Sequence, residues 1–185
     1  HISGVILYDE TIRQKTADGT SLVELIKSTN TLPGIKVDTG TTPLAGRPQE
    51  SITQGLDGLR ERLTEYYKLG ARFAKWRAVI EISHPDQYVG TTPTIGGIKA
   101  NTHALGRYAA LCQEAGIVPI VEPEVLMGGY HNIERCHEVT ETTLNSLFTE
   151  LYEQGVKLEG IILKPNMVVA GKKCAEQTSR VEIAE

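Results

Sequence analysis

No stretch of the chain approaches the ~18 consecutive apolar residues of a membrane span, and His1-Ile2-Ser3 does not resemble a targeting segment. No membrane partner is therefore expected. An excess of positive charge is also lacking: 19 Lys and Arg stand against 23 Asp and Glu, a formal net charge of -4. The adjacent pair Lys172-Lys173 is too little for a basic stripe, so a nucleic-acid partner is not expected either. Cysteines are few, odd in number and widely spaced. Cys112, Cys136 and Cys174 form no C-x-x-C pattern, which points to reduced thiols in a cytoplasmic protein over a disulfide frame or a zinc site. The first residue is not methionine, so the chain reads as one that has been cut.

What is present suffices for a core. With 40% hydrophobic residues, residues 1–185 read as a single domain. Gly4 to Tyr8 is a short apolar strand, and Ser21 is the N-cap of a helix with Leu22, Leu25 and Ile26 at helical spacing and Glu24 completing a capping box. A second strand covers Gly34 to Asp38. Thr39 to Pro48, rich in Gly, Thr and Pro, reads as a loop. Leu56, Leu59, Leu63, Tyr66 and Tyr67 mark one face of a helix that Gly70 stops. In the third strand, Arg72 to Arg77, the period of two puts Lys75 and Arg77 on one side with Phe73. Two solvated side chains, or Arg77 stacked on Trp76, would explain the pair equally well.

Ser83 to Gly97 is a long connector, and its His84-Pro85-Asp86 reads as a surface turn. Ala104, Leu105, Tyr108, Leu111 and Cys112 form the next helical stripe, ended by Gly116. The strand Ile117 to Val121 runs into Glu122-Pro123-Glu124, with both carboxylates on one face. Mutual repulsion and burial there would favour protonation of one acid, as acid-base chemistry needs; a hydrated strand end is the plain alternative. A long helix follows, marked by Ile133, Cys136, Thr140, Leu144, Leu147 and Leu151. His131 and His137, on different faces of it, are not read as metal ligands.

The last strand, within Gly160 to Val168, carries Lys164 near the end of an apolar run. Its length and flanking Gly and Pro suit a strand buried on both faces. Ile162, Lys164 and Asn166 share one face, and Pro165 holds Lys164 extended. Burial at that point disfavours the ammonium and favours the free amine that attacks a carbonyl. A lysine that merely ends a strand in water is the competing reading.

Strand and helix alternate five times, with strand starts near 5, 35, 73, 118 and 161, which predicts parallel βα units. Lys36, Lys75, Arg77, Glu122, Glu124 and Lys164 all fall late in their strands. Contributions from at least four successive strands favour a barrel over a doubly wound sheet with one switch point.

The motifs G-I-K-V-D, F-A-K-W-R, I-V-P-I-V-E-P-E and E-G-I-I-L-K-P-N-M-V closely resemble those of class I fructose-1,6-bisphosphate aldolases, in wording nearer to bacterial members. G-L-D-G-L and the E-I-A near residue 185 extend the resemblance over nearly the whole chain. It implies an α/β fold, a (β/α)8 TIM barrel of which this chain supplies about strands two to six. It further implies a metal-free lyase with no cofactor, a sugar phosphate substrate and a homotetramer. By the same resemblance Lys164 is the Schiff-base lysine, Glu122 the general acid-base, Glu124 a second strand-end glutamate that shapes the charge of the site, and Lys75 the neighbouring cation. Lys36 and Arg77 match basic residues near the substrate phosphates. Another Schiff-base aldolase or transaldolase, or a truncated non-catalytic binding or assembly fragment, are the alternatives.

Overall fold

The computed structural model describes residues 2–83 and 92–184; His84-Pro85-Asp86 and most of the connector lie outside them. The chain forms β1 (Gly4–Leu7), α1 (Asp9–Ile12), α2 (Leu22–Ser28), β2 (Leu32–Lys36), β3 (Thr41–Leu44), β4 (Arg47–Thr53), α3 (Leu59–Leu69), β5 (Phe73–Ile80), α4 (Ile95–Glu114), β6 (Val118–Val125), α5 (Ile133–Glu153), β7 (Ile162–Leu163) and α6 (Arg180–Ala184). Five strands make one parallel sheet in the order β1-β2-β5-β6-β7. Each new parallel strand adds to the same side. A doubly wound sheet reverses direction at its switch point, so this order is that of consecutive barrel strands. Among the described residues β1 and β7 are paired on one side only.

Burial along β5 alternates without a break. Ala74, Trp76, Ala78 and Ile80 are buried on one face, while Phe73, Lys75, Arg77 and Val79 are half-buried on the other. The buried face meets the helices, where Ile35, Leu63, Tyr66, Trp76, Leu105, Tyr108, Val121 and Leu147 form the main core. Trp76 stacks on Tyr108 with ring centroids 5.5 Å apart, so it is not a partner for Arg77. Gly70 ends α3 in the left-handed conformation at φ 115° and donates its N–H to the Tyr66 and Tyr67 carbonyls. On the opposite sheet face the Phe73 ring lies over Gly34, where an added Cβ would come within 2.3 Å of it. That close approach explains a glycine in the middle of β2.

Several sequence expectations are corrected. Thr39 to Pro48 is largely the first part of the antiparallel β3–β4 hairpin, whose polar residues give no apolar alternation. Tertiary bonds hold it instead: Thr53 Oγ1 donates to the Arg77 carbonyl at 2.8 Å, and Asn101 Nδ2 donates to the Ser51 carbonyl at 2.9 Å. The connector ends earlier than Gly97, because Thr94 caps α4 by accepting from the Gly97 N–H. Ser21 caps α2 by accepting from the Glu24 N–H, but Glu24 Oε1 accepts from Lys27, so the reciprocal half of the box is replaced by an ion pair. Val23, not Leu25, is the residue that α2 buries. His131 precedes α5, for which Asn132 is the N-cap.

Candidate active site

The strand leading to Lys164 is shorter than the apolar run suggests, and Lys164 follows it. β7 has two residues, Ile162 is 49% exposed, and the Lys164 side chain is 59% exposed. The expectation of burial on both faces fails because β7 has no neighbour beyond it among the described residues. The placement of the lysine nevertheless holds. Val121 pairs with Leu163, and the Lys164 N–H donates to the Val121 carbonyl at 2.9 Å, which sets Lys164 level with Glu122. Asn166 locks the following turn by accepting from the Val125 N–H at 3.1 Å and donating to Thr140 Oγ1 at 3.1 Å.

Lys164 Nζ donates to Glu122 Oε1. Lys75 Nζ lies 3.1 Å from Oε2 of the same carboxylate, an ion pair whose angles do not make it a hydrogen bond. The Glu122 side chain is 4% exposed, so this charge is withdrawn from water and matched by two ammonium groups from flanking strands. One strand level further up, Arg77 Nε donates to Glu124. Each cation of β5 thus reaches two residues beyond its register partner on β6. Lys75 is level with Ile120 and meets Glu122; Arg77 is level with Glu122 and meets Glu124. The two glutamates do share a face, but each is engaged by its own cations. Pairing between strands, not repulsion within one, defines their environment.

Lys36 stands apart on β2. Its Nζ donates to Asp38 Oδ1 at 2.5 Å and to the Asp38 carbonyl at 2.9 Å, and lies 5.9 Å from the centroid of the Tyr8 ring. The structure therefore joins Lys75, Glu122 and Lys164 in one cluster and Arg77 with Glu124 in a second. Asp38, which sequence reasoning passed over, is the partner of Lys36; its spacing of two from Lys36 was the available signal. A cavity of about 470 Å³ lies away from these residues, where α3 meets α4, among side chains that include Leu59, Arg107 and Leu111.

Other titratable groups serve the core. Burial pushes the Cys112 thiol and the Tyr108 hydroxyl up. Burial, then the nearby Arg135 charge, holds the His131 imidazole below its usual range. Among the described residues no group of three or more His, Cys, Asp and Glu could hold a metal ion, and no helix is long and apolar enough to cross a membrane.

Parallel strands added in one direction, with an amine–carboxylate–amine cluster drawn from β5, β6 and the residue after β7, define a barrel-type α/β protein with a lysine-centred polar site. The family model for class-I fructose-bisphosphate aldolase matches residues 1–185. The chain belongs to that family. A probable fructose-bisphosphate aldolase class 1 of Xanthomonas axonopodis pv. citri is 63% identical over 185 residues, covering 100% of this chain and 54% of the relative. The cytosolic fructose-bisphosphate aldolase 6 of Arabidopsis thaliana is 50% identical over 184 residues, covering 49% of that relative. Fructose-bisphosphate aldolase from Plasmodium falciparum, solved in complex with TRAP and a small-molecule inhibitor, superposes with a TM-score of 0.91 at 49% identity, over 98% of this chain and 51% of that one. The chain spans about half the length of the curated relatives it matches. These relatives all carry the fructose-bisphosphate aldolase name, which disfavours the transaldolase reading.

Proposed function

We propose that residues 1–185 are one part-barrel domain supplying the Schiff-base centre of an aldolase that reversibly cleaves fructose 1,6-bisphosphate to dihydroxyacetone phosphate and glyceraldehyde 3-phosphate. The observation that carries this reading is the contact of Lys164 Nζ with Glu122, whose second oxygen is ion-paired to Lys75. A proton passing from the Lys164 ammonium to Glu122 frees the amine to attack C2 of the sugar. Counted from the ammonium to the iminium, the nitrogen sheds two protons in all, the one already passed to Glu122 and one after attack, and both leave on the former ketone oxygen as water, with Glu122 as the relay. The Lys75 cation stabilises negative charge on that departing oxygen. Glu122 then accepts the C4 hydroxyl proton. The C3–C4 bond breaks, its electron pair neutralises the iminium to an enamine, and C4 becomes the aldehyde carbon of glyceraldehyde 3-phosphate. Protonation of C3 and addition of water release dihydroxyacetone phosphate and restore Lys164.

Arg77 and Lys36 meet the substrate phosphates, a task suited to fixed cationic donors. Glu124 keeps Arg77 in place. The iminium polarises the sugar as a metal would, so no cofactor or metal is required. The working protein is a cytoplasmic homotetramer, as the resemblance and the cytosolic names of plant relatives suggest.

Borohydride reduction of the full-length protein with dihydroxyacetone phosphate should fix the substrate on the peptide containing Lys164. Label on Lys75 or Lys36 instead, or activity lost in chelator and restored by zinc, would overturn the reading.

A further inference from the structure

Asp38 has no role in the reaction just set out, yet it controls one of the cations assigned to substrate. It is buried, with 5% of its side chain exposed, and it stands two residues after Lys36 at the end of β2. Its Oδ1 accepts from the Gly40 N–H at 3.3 Å and from Lys36 Nζ at 2.5 Å. The Asp38 carbonyl takes a second ammonium proton at 2.9 Å. The backbone around this contact is itself held: the Thr39 N–H donates to the Gln54 carbonyl and the Gln54 N–H to the Gly40 carbonyl, each at 2.9 Å. Asp38 is thus fixed by the base of the β3–β4 hairpin, and it in turn fixes the lysine.

We propose that Asp38 is a positioning residue that aims Lys36 at a substrate phosphate. This rests on the aldolase reading of the site. An ammonium has three N–H donors. Two are taken by Asp38, so Lys36 offers one N–H in one set direction. A free lysine would carry its charge on a flexible four-carbon stem and lose rotamer entropy on each binding event. Held by Asp38, it has lost that freedom before the substrate arrives. Asp38 also brings a cost, because its negative charge opposes the incoming phosphate. Pre-orientation outweighs this repulsion, since the lysine is the more accessible of the two side chains: 24% of the Lys36 side chain is exposed against 5% of Asp38.

The test is steady-state cleavage of fructose 1,6-bisphosphate by the full-length protein, as unsubstituted, Asp38→Ala, Asp38→Asn, Lys36→Met and Lys36→Met/Asp38→Ala forms. Asp38→Ala should raise KM about tenfold, the size of one charge-assisted contact, with kcat changed little. Asn, which keeps an acceptor for Gly40 and for Lys36, should recover part of the loss. In the Lys36→Met background the Asp38 change should add nothing, because its effect runs through that lysine. A merely structural Asp38 would instead add its loss to that of Lys36→Met, and this would refute the inference. So would a KM that is unchanged or lower in Asp38→Ala while borohydride still labels Lys164. Absence of that label in the unsubstituted protein would refute the aldolase reading and this inference together.

Discussion

Glu122→Gln separates the proton work of the site from its shape. The substitution retains the volume of a side chain that is 4% exposed and lies between two strands. It removes the titrating group and the charge that Lys75 and Lys164 share. An amide offers one acceptor oxygen where the carboxylate offered two, and its NH2 faces an ammonium with nothing to accept. One of the two lysine contacts is therefore lost whichever way the amide is turned. The expected kinetic loss is that of a missing general acid-base group, about a hundredfold to ten-thousandfold in kcat. KM should change little, because the phosphate contacts assigned to Arg77 and Lys36 lie on other strands. Imine formation and carbon–carbon cleavage both slow, so borohydride labelling at Lys164 should become slower and not vanish. The assay is steady-state turnover with fructose 1,6-bisphosphate alongside the time course of labelling by mass spectrometry. Turnover within a few-fold of the parent would refute the role given to Glu122 and move the proton transfers to Glu124 or another group.

Two further outcomes follow from packing and burial. Gly34→Ala places a Cβ within 2.3 Å of the Phe73 ring, so it should cost about 1–3 kcal/mol as overpacking and lower Tm by roughly 2–4 °C per kcal/mol, with Phe73→Leu partly rescuing it; an unchanged Tm in the single variant would refute the contact. His131 is held below its usual 6.5, so the unfolded chain binds the proton first: the stability it contributes is complete above pH 6.5 and is lost as pH falls towards the lower folded value. His131→Leu should therefore flatten the acid side of a Tm-against-pH profile, and an identical slope in both proteins would refute this.

The parts of this fold that were legible in the sequence are those where one segment alone dictates its structure. The alternation in β5 is carried by its own residues, Ala74, Trp76 and Ala78 against Lys75 and Arg77, and the strand starts within one residue of where the pattern puts it but runs three residues past Arg77, to Ile80. The charged site was legible for the same reason. A period of two puts Lys75 with Arg77 on one face of β5 and Glu122 with Glu124 on one face of β6 before any register is known, but the expectation that every charged residue falls late in its strand fails for Lys75, the third of the eight residues of β5. The register itself was not legible. Whether Glu122 meets Lys75 or Arg77 depends on a two-residue offset between β5 and β6, which no single strand encodes. The β3–β4 hairpin was missed because Thr41, Thr42, Pro43, Gln49 and Ser51 bring no apolar face, and its support comes from distant residues such as Asn101 on α4. Asp38 fell between the two cases. It continues the face of Lys36, and its contact with that lysine sits beside a ladder from Thr39 and Gly40 to Gln54 that the strand's own sequence does not reveal. The residue that one segment could not predict is thus the one whose position is set by two, and the same dependence makes the hairpin, through Asp38, a structural part of the proposed phosphate site.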